Sequence, residues 1–213
     1  MIYNKDNPSQ QYIDLVNSYK IIHKTGAADK TSDETYNGTS TIKFAELIKK
    51  VIKKNNYKTL LDYGSGKGDN YYNKTVFTDK TYPPLNEFWN IKTSLFDPGV
   101  PHPRPTDKFF DIVISIDVLE HIPYQDLSWV INEIFEYATK MVFINVACYK
   151  ANAKLPDGNN AHVSVFDPMW WCGFISAIAS NYNVKVLLAC NYKKEDKIKF
   201  LFYNINDDFN NYK

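Results

Sequence analysis

The apolar positions of this chain follow two rhythms, and the change comes near residue 57. Before it, the spacing predicts two helices, around 9–24 and 40–56. In the second, Ala45, Leu47, Ile48, Val51 and Ile52 recur at helical intervals while Lys43, Lys49, Lys50, Lys53 and Lys54 take the remaining surface. After Tyr57 the apolar residues come in short blocks. Thr59-Leu60-Leu61-Asp62-Tyr63 stops at glycines, as a strand entering a tight turn should, and comparable runs follow at 93–97, 110–117, 140–148, 184–190 and 198–205. Between the third and fourth runs, the stretch Asp126 to Lys140 places Leu127, Val130, Ile131, Ile134, Phe135 and Ala138 on one helical face, with Asp126 the expected N-cap and Lys140 near the C-terminus. Residues 168–182 predict another helix.

Strands alternating with helices imply an α/β fold, a Rossmann-like, doubly wound and mostly parallel sheet sandwiched by helices. With 213 residues there is room for one compact domain, divided here into an N-terminal helical cap at 1–56 and a core at 57–213. In such a sheet, ligands bind outside the carboxyl ends of the strands, where the strand order reverses. In this chain those ends are marked by glycine or by acid.

Composition removes several classes of function. A net charge of +1 creates no global field toward nucleic acid or anionic lipid, and Arg104 is the only arginine, which argues against a surface of bidentate phosphate forks. The three cysteines, Cys148, Cys172 and Cys190, are scattered without a CxxC pair, so neither a disulfide framework nor a zinc cluster is indicated. The polar N-terminus is followed by no apolar run, and IVISIDVL is interrupted by Asp117 well short of a membrane span. The expectation is a soluble, cytoplasmic protein with no membrane partner.

The sharpest motif is Leu61-Asp62-Tyr63-Gly64-Ser65-Gly66-Lys67-Gly68-Asp69 at the end of the first strand. Glycines at alternate positions let the backbone turn tightly and let a ligand lie against amides without a Cβ clash. Dinucleotide folds use GxGxxG to aim a helix N-terminus at a pyrophosphate. Gly64, Gly66 and Gly68 instead form GxGxG behind Asp62, which fits a nucleoside lacking phosphates better.

Here the sequence resembles the class I S-adenosylmethionine-dependent methyltransferases, whose first motif is an acid followed by GxGxG. Phe110-Asp111-Ile112-Val113-Ile114-Ser115-Ile116-Asp117-Val118-Leu119-Glu120-His121-Ile122-Pro123 is similar to that family's fourth strand and following turn, and the succession of strands from 57 to 205 agrees with it. The resemblance implies that S-adenosyl-L-methionine is the cofactor. Gly64, Ser65, Gly66 and Gly68 would border its methionine part, and Asp62 would fix the turn or the amino group. Asp97, at the end of TSLFD, matches the acid after the second strand that accepts both ribose hydroxyls, although an Asp before Pro-Gly is also a common turn starter. Only 13 residues separate Asp97 from Asp111, too few for a crossover helix and a strand, and the stretch DPGVPHPRP reads as a loop. The family's usual third strand is therefore expected to be missing, leaving a six-stranded sheet. Its adenine-binding acid then has no counterpart, with Asp117 or nearby backbone as the substitute.

Two histidines are candidate proton acceptors. His121 follows the fourth strand, at the pocket rim, where the resembled family often uses the position only to shape the cofactor site. His162 lies on the long polar loop after the fifth strand, open to an incoming acceptor, and is preferred as the base. Asn159 and Asn160 on that loop would orient a hydroxyl-rich acceptor. Trp170 and Trp171 are either core or a cation–π partner for the sulfonium. Residues 34–38 resemble a lid segment over such sites. The functional expectation is methyl transfer to a small-molecule or sugar-like acceptor. The alternatives are a nucleic-acid methyltransferase, supported only by the lysine-rich helix 40–56, and a module that binds the cofactor without turnover.

Overall fold

A computed structural model describes residues 3–26, 31–32, 35, 38–106, 109–195 and 197–206, and every structural statement concerns these. In chain order the elements are α1 (Gln10–Thr25), α2 (Thr39–Ile42), α3 (Ala45–Asn55), β1 (Thr59–Tyr63), β2 (Thr75–Phe77), β3 (Lys80–Tyr82), α4 (Leu85–Trp89), β4 (Lys92–Phe96), β5 (Phe110–Ile116), α5 (Tyr124–Tyr137), β6 (Ala138–Ala147), α6 (Pro168–Ala179), β7 (Lys185–Lys194) and β8 (Lys197–Ile205).

The main sheet has six strands in the order β4-β1-β5-β6-β7-β8. The first five are parallel, and β8 returns antiparallel along β7 at the edge. The fold is thus a mixed α/β arrangement around a mostly parallel sheet. β2 and β3 form a separate small hairpin inside the β1-to-β4 connection.

The central strands β1, β5 and β6 are buried on both faces, as strands inside a parallel sheet are, while the antiparallel edge strand β8 is largely exposed. Alternate residues of each central strand serve opposite cores: Leu61, Val113, Val142 and Ile144 pack with α5 and α6, while Leu60, Ile112, Ile114 and Phe143 pack with α3 and α4. α3 joins the core because Ala45, Ile48 and Ile52 point inward while its lysines face out.

Three expectations need correction. The helix expected over 40–56 is two pieces, because Lys43 and Phe44 separate α2 from α3. Asp126 does not cap α5, which begins at Tyr124. Its carboxylate is fully buried and accepts hydrogen bonds from the Ser9 amide (3.0 Å), the Ser9 hydroxyl and the Trp129 indole (2.8 Å), so it ties the start of α1 to the core. Lys140 lies in β6 rather than at the helix end, and its ammonium sits 2.8 Å from Asp111.

The short connection after β4 carries neither helix nor strand among its described residues, 97–106 and 109, as its length required. It is held across the sheet end by Arg104, which pairs with the buried Glu133 and lies over the Phe96 ring. Glu133 also accepts from the Tyr63 hydroxyl at 2.6 Å. No described helix is long and apolar enough to cross a membrane.

Candidate functional site

The chain passes from β1 outward to β4 and then back across to β5, so the strand order reverses between β1 and β5. A cavity of about 410 Å³ opens there, at the carboxyl ends of the strands. That volume is within the ordinary range for small-ligand sites.

One wall is backbone. Gly64 and Ser65 amides donate to the Phe96 carbonyl at 2.7 and 3.1 Å, which carries the pairing of β1 and β4 into the loops. Gly64 has φ 87°, and a Cβ there would lie 2.3 Å from a Val118 methyl, so only glycine admits the turn after β5 this closely. Gly64, Ser65, Gly66, Asp97 and Asp117 all line the cavity. The Asp97 carboxylate accepts from the Gly66 amide (2.9 Å) and the Gly99 amide (2.7 Å), so it is both a turn former and a bridge between two strand ends. Asp117 adopts φ 54°, a strained value for an Asp, and accepts a hydrogen bond from the Ser40 hydroxyl.

Two motif residues stand behind this wall. Asp62 is buried and accepts from the Tyr71 hydroxyl at 2.6 Å, anchoring the single 3-10 turn at Asp69–Tyr71 that follows the glycines. Burial pushes its carboxyl up to about 7, against the lowering effect of the Tyr71 bond. Gly68, at φ 68°, packs against Leu95 rather than facing the cavity.

The opposite wall is made of side chains. A 3-10 turn at Leu119–His121 follows β5 and sets Glu120 inward and His121 along the cavity. His121 Nδ1 lies 2.7 Å from the Tyr19 hydroxyl and 2.9 Å from the Ala161 carbonyl. Burial, with His162 beside it, drives the His121 pKa down to about 3, so the ring is neutral at physiological pH. His162 sits edge-on to His121, 4.8 Å between centroids, with Nδ1 2.5 Å from the Tyr149 carbonyl. Its pKa is also lowered by burial. Glu120 is fully buried, Oε1 accepts from the Ala147 amide at 2.7 Å, and burial together with the Asp117 charge holds its carboxyl well above the usual range.

Other expected contributors stand elsewhere. The Asn160 side chain is spent on the loop, accepting from the Ala151 and His162 amides and donating to the Ala151 carbonyl, and Asn159 bonds Asp157. Trp171 is core, and Trp170 stacks between Phe166 and Phe174; neither lines the cavity. Of the lid segment, Glu34, Tyr36 and Asn37 lie outside the described residues, while Gly38 lines the cavity. Sequence reasoning missed the contribution of α1, whose Tyr12, Leu15, Val16, Tyr19 and His23 also line it. Their helical spacing was the available signal, a continuous stripe with polar tips. Comparison with protein-family models, with curated proteins and with solved structures finds no match for this chain.

Proposed function

We propose that this chain is an S-adenosyl-L-methionine-dependent methyltransferase with a Rossmann-like methyltransferase core, acting on a small-molecule or sugar-like acceptor. One observation carries the reading: Gly64-Ser65-Gly66, Asp97 and Asp117, the ends of three neighbouring strands, line a single cavity at the reversal of strand order. The methionine part of the cofactor lies along the glycine turn, its ribose hydroxyls exchange for the amide partners of Asp97, and Asp117 or adjoining backbone meets the adenine. An anionic bridge to a diol makes two charge-assisted hydrogen bonds, which selects a nucleoside over most ligands of similar size.

The reaction is an in-line displacement at an already activated carbon. The acceptor oxygen forms a bond to the methyl carbon, the carbon–sulfur bond breaks, its electron pair neutralises the sulfonium, and the acceptor's proton passes to the His162 imidazole. Alignment supplies most of the acceleration and at most one base is needed. His162, ahead of His121, stands for the acceptor side of the cavity.

The test pairs calorimetric titration with S-adenosylhomocysteine and release of label from methyl-labelled cofactor across a panel of hydroxylated acceptors. Binding with turnover is the expected result. Binding without turnover on any acceptor would leave a cofactor-binding module, and absence of binding would end the reading.

A further inference from the structure

The group least accounted for by methyl transfer is the carboxylate of Glu120. Its residue is 0% exposed, and while Oε1 accepts from the Ala147 amide, Oε2 has no hydrogen-bond partner among the described residues. A buried carboxylate oxygen left unpaired is costly unless a cation or a donor meets it. Two histidines stand close by: one ligand atom from each of Glu120, His121 and His162 lies within 4.8 Å of the other two. We propose that these three residues form a binding site for a divalent transition-metal cation in the wall of the cavity.

The hydrogen bonds around the rings prepare them for it. A carbonyl oxygen only accepts, so the contacts of His121 Nδ1 with the Ala161 carbonyl and of His162 Nδ1 with the Tyr149 carbonyl place the ring hydrogen on Nδ1 in both. The lone pair is then on Nε2 in both, and each ring is oriented by a backbone partner behind it, which is the arrangement that metal-binding histidines require. Tyr19 adds its hydroxyl to the His121 side of this support and donates to the same Ala161 carbonyl.

Two imidazoles and one carboxylate suit a borderline cation such as Zn²⁺ better than Ca²⁺ or Mg²⁺, which take oxygen ligands. Bond lengths of about 2.0–2.2 Å set donors of one tetrahedral cation about 3.4 Å apart. The three donors lie within 4.8 Å of one another, so a bound cation would draw them together by up to about 1.4 Å. Because His121 and His162 also line the cavity, a cation held by them would be open to an acceptor bound there.

The use of the cation rests on the methyl-transfer reading; the site does not. A hydroxyl bound to such a cation loses its proton more readily. The proton passes to water in the open crevice, the oxygen bonds the methyl carbon, and the carbon–sulfur bond breaks to leave S-adenosylhomocysteine. His162 then acts as a ligand, and the cation takes over the activation otherwise assigned to it.

The experiment titrates chelator-stripped, dialysed protein with Zn²⁺ by calorimetry and with Co²⁺ by visible absorption, in the absence of cofactor. One cation per chain is expected, with a Co²⁺ spectrum of nitrogen and oxygen ligation. His162→Ala should weaken Zn²⁺ binding about 100-fold or more, beyond the 10- to 100-fold typical of losing an outer partner. Glu120→Gln should do the same, and its melting curve is recorded first because the residue is buried. His162→Ala keeps the test decisive if the glutamine variant does not fold. Folded protein that takes up no Zn²⁺, or takes it up equally well with His162→Ala, overturns the site. S-adenosylhomocysteine titrated into the stripped protein separates the two ideas: affinity for it without Zn²⁺ binding removes the metal site alone, and Zn²⁺ binding without that affinity removes the methyl-transfer reading alone.

Discussion

The two walls of the cavity are built by different means. The glycine wall is a continuation of strand pairing: Gly64 and Ser65 bond the Phe96 carbonyl, Gly66 bonds Asp97, and the positions are set by β1 and β4 before any side chain is chosen. The histidine wall has no such ladder. Tyr19 reaches His121 across 102 positions of sequence, the Ala161 carbonyl reaches it across 40, and His162 is oriented by Tyr149 from the start of its own loop. A wall fixed by backbone holds a ligand in one place, which suits a cofactor. A wall assembled from a cap helix, a turn and a loop varies in its side chains while the sheet stays intact, which suits an acceptor. The two halves should therefore be separable by mutation.

The largest expected separation comes from His162→Ala. If His162 is the acceptor's base, its removal should lower turnover about 100- to 10,000-fold, with S-adenosylhomocysteine affinity nearly unchanged because the glycine wall is untouched. His121→Ala measured alongside should lower both, since that ring packs against Tyr19 and the Ala161 carbonyl and so supports the cavity itself. Full activity of His162→Ala would end its assignment to the acceptor. Loss of cofactor binding in the same variant would mean that the walls are not independent.

Gly64→Ala attacks the other wall. An alanine at φ 87° carries a left-handed backbone cost of about 1–2 kcal/mol, and its Cβ meets Val118 at 2.3 Å. Together these should lower stability by about 2–4 kcal/mol in chemical denaturation. Adding Val118→Ala removes both crowding methyls and should recover about half of the loss. A double variant no more stable than the single one would show that the backbone angle alone demands glycine.

What was legible in the sequence follows the same division. The succession of the main-sheet strands along the chain, the absence of an element among the described residues after Asp97 and the glycine turn were readable because each depends on neighbours within a few residues. Asp62 was legible as an acid before the glycines but not as the partner of Tyr71, a contact decided by where the 3-10 turn folds back. Asp126 looked like a helix cap by spacing, yet the helix starts earlier and the carboxylate answers Ser9, 117 positions away. The cavity-facing stripe of α1 and the Glu120–His121–His162 cluster were hidden for this reason: nothing local says that the cap helix and the loop after β6 meet over β5.

Asp97→Ala should weaken S-adenosylhomocysteine binding by about 1.5–3 kcal/mol, the usual size of a lost charged hydrogen bond. Because Asp97 also bonds the Gly66 and Gly99 amides, Asp97→Asn serves as the sharper control. The amide keeps one acceptor for the backbone, sets its NH2 against the other backbone N–H and drops the charge, so the variant should be less destabilised than Asp97→Ala and still bind more weakly. Calorimetric affinity unchanged in both variants would reject Asp97 as the ribose ligand and leave it a turn former.

The smallest effect concerns the residue behind the glycine wall. Asp62 is buried and accepts from the Tyr71 hydroxyl, and burial pushes its carboxyl up from 3.8 to about 7. In the unfolded chain the same carboxyl ionises near 4. Between those values the folded protein holds the extra proton, so stability falls as pH rises toward 7 and levels off above it, the opposite of a salt-bridged acid. From pH 6 to pH 8 this group alone should remove about 1–2 kcal/mol. Asp62→Asn keeps an oxygen to accept from Tyr71 and has no proton to lose, so that loss should vanish when its stability is subtracted from the parent's at each pH. Since Asp62 does not line the cavity, the variant's S-adenosylhomocysteine affinity should stay where the parent's is. Parallel pH profiles for the two proteins would show that Asp62 is already ionised in the folded state. A loss of cofactor affinity would move it from support of the glycine turn to direct contact with the cofactor's amino group.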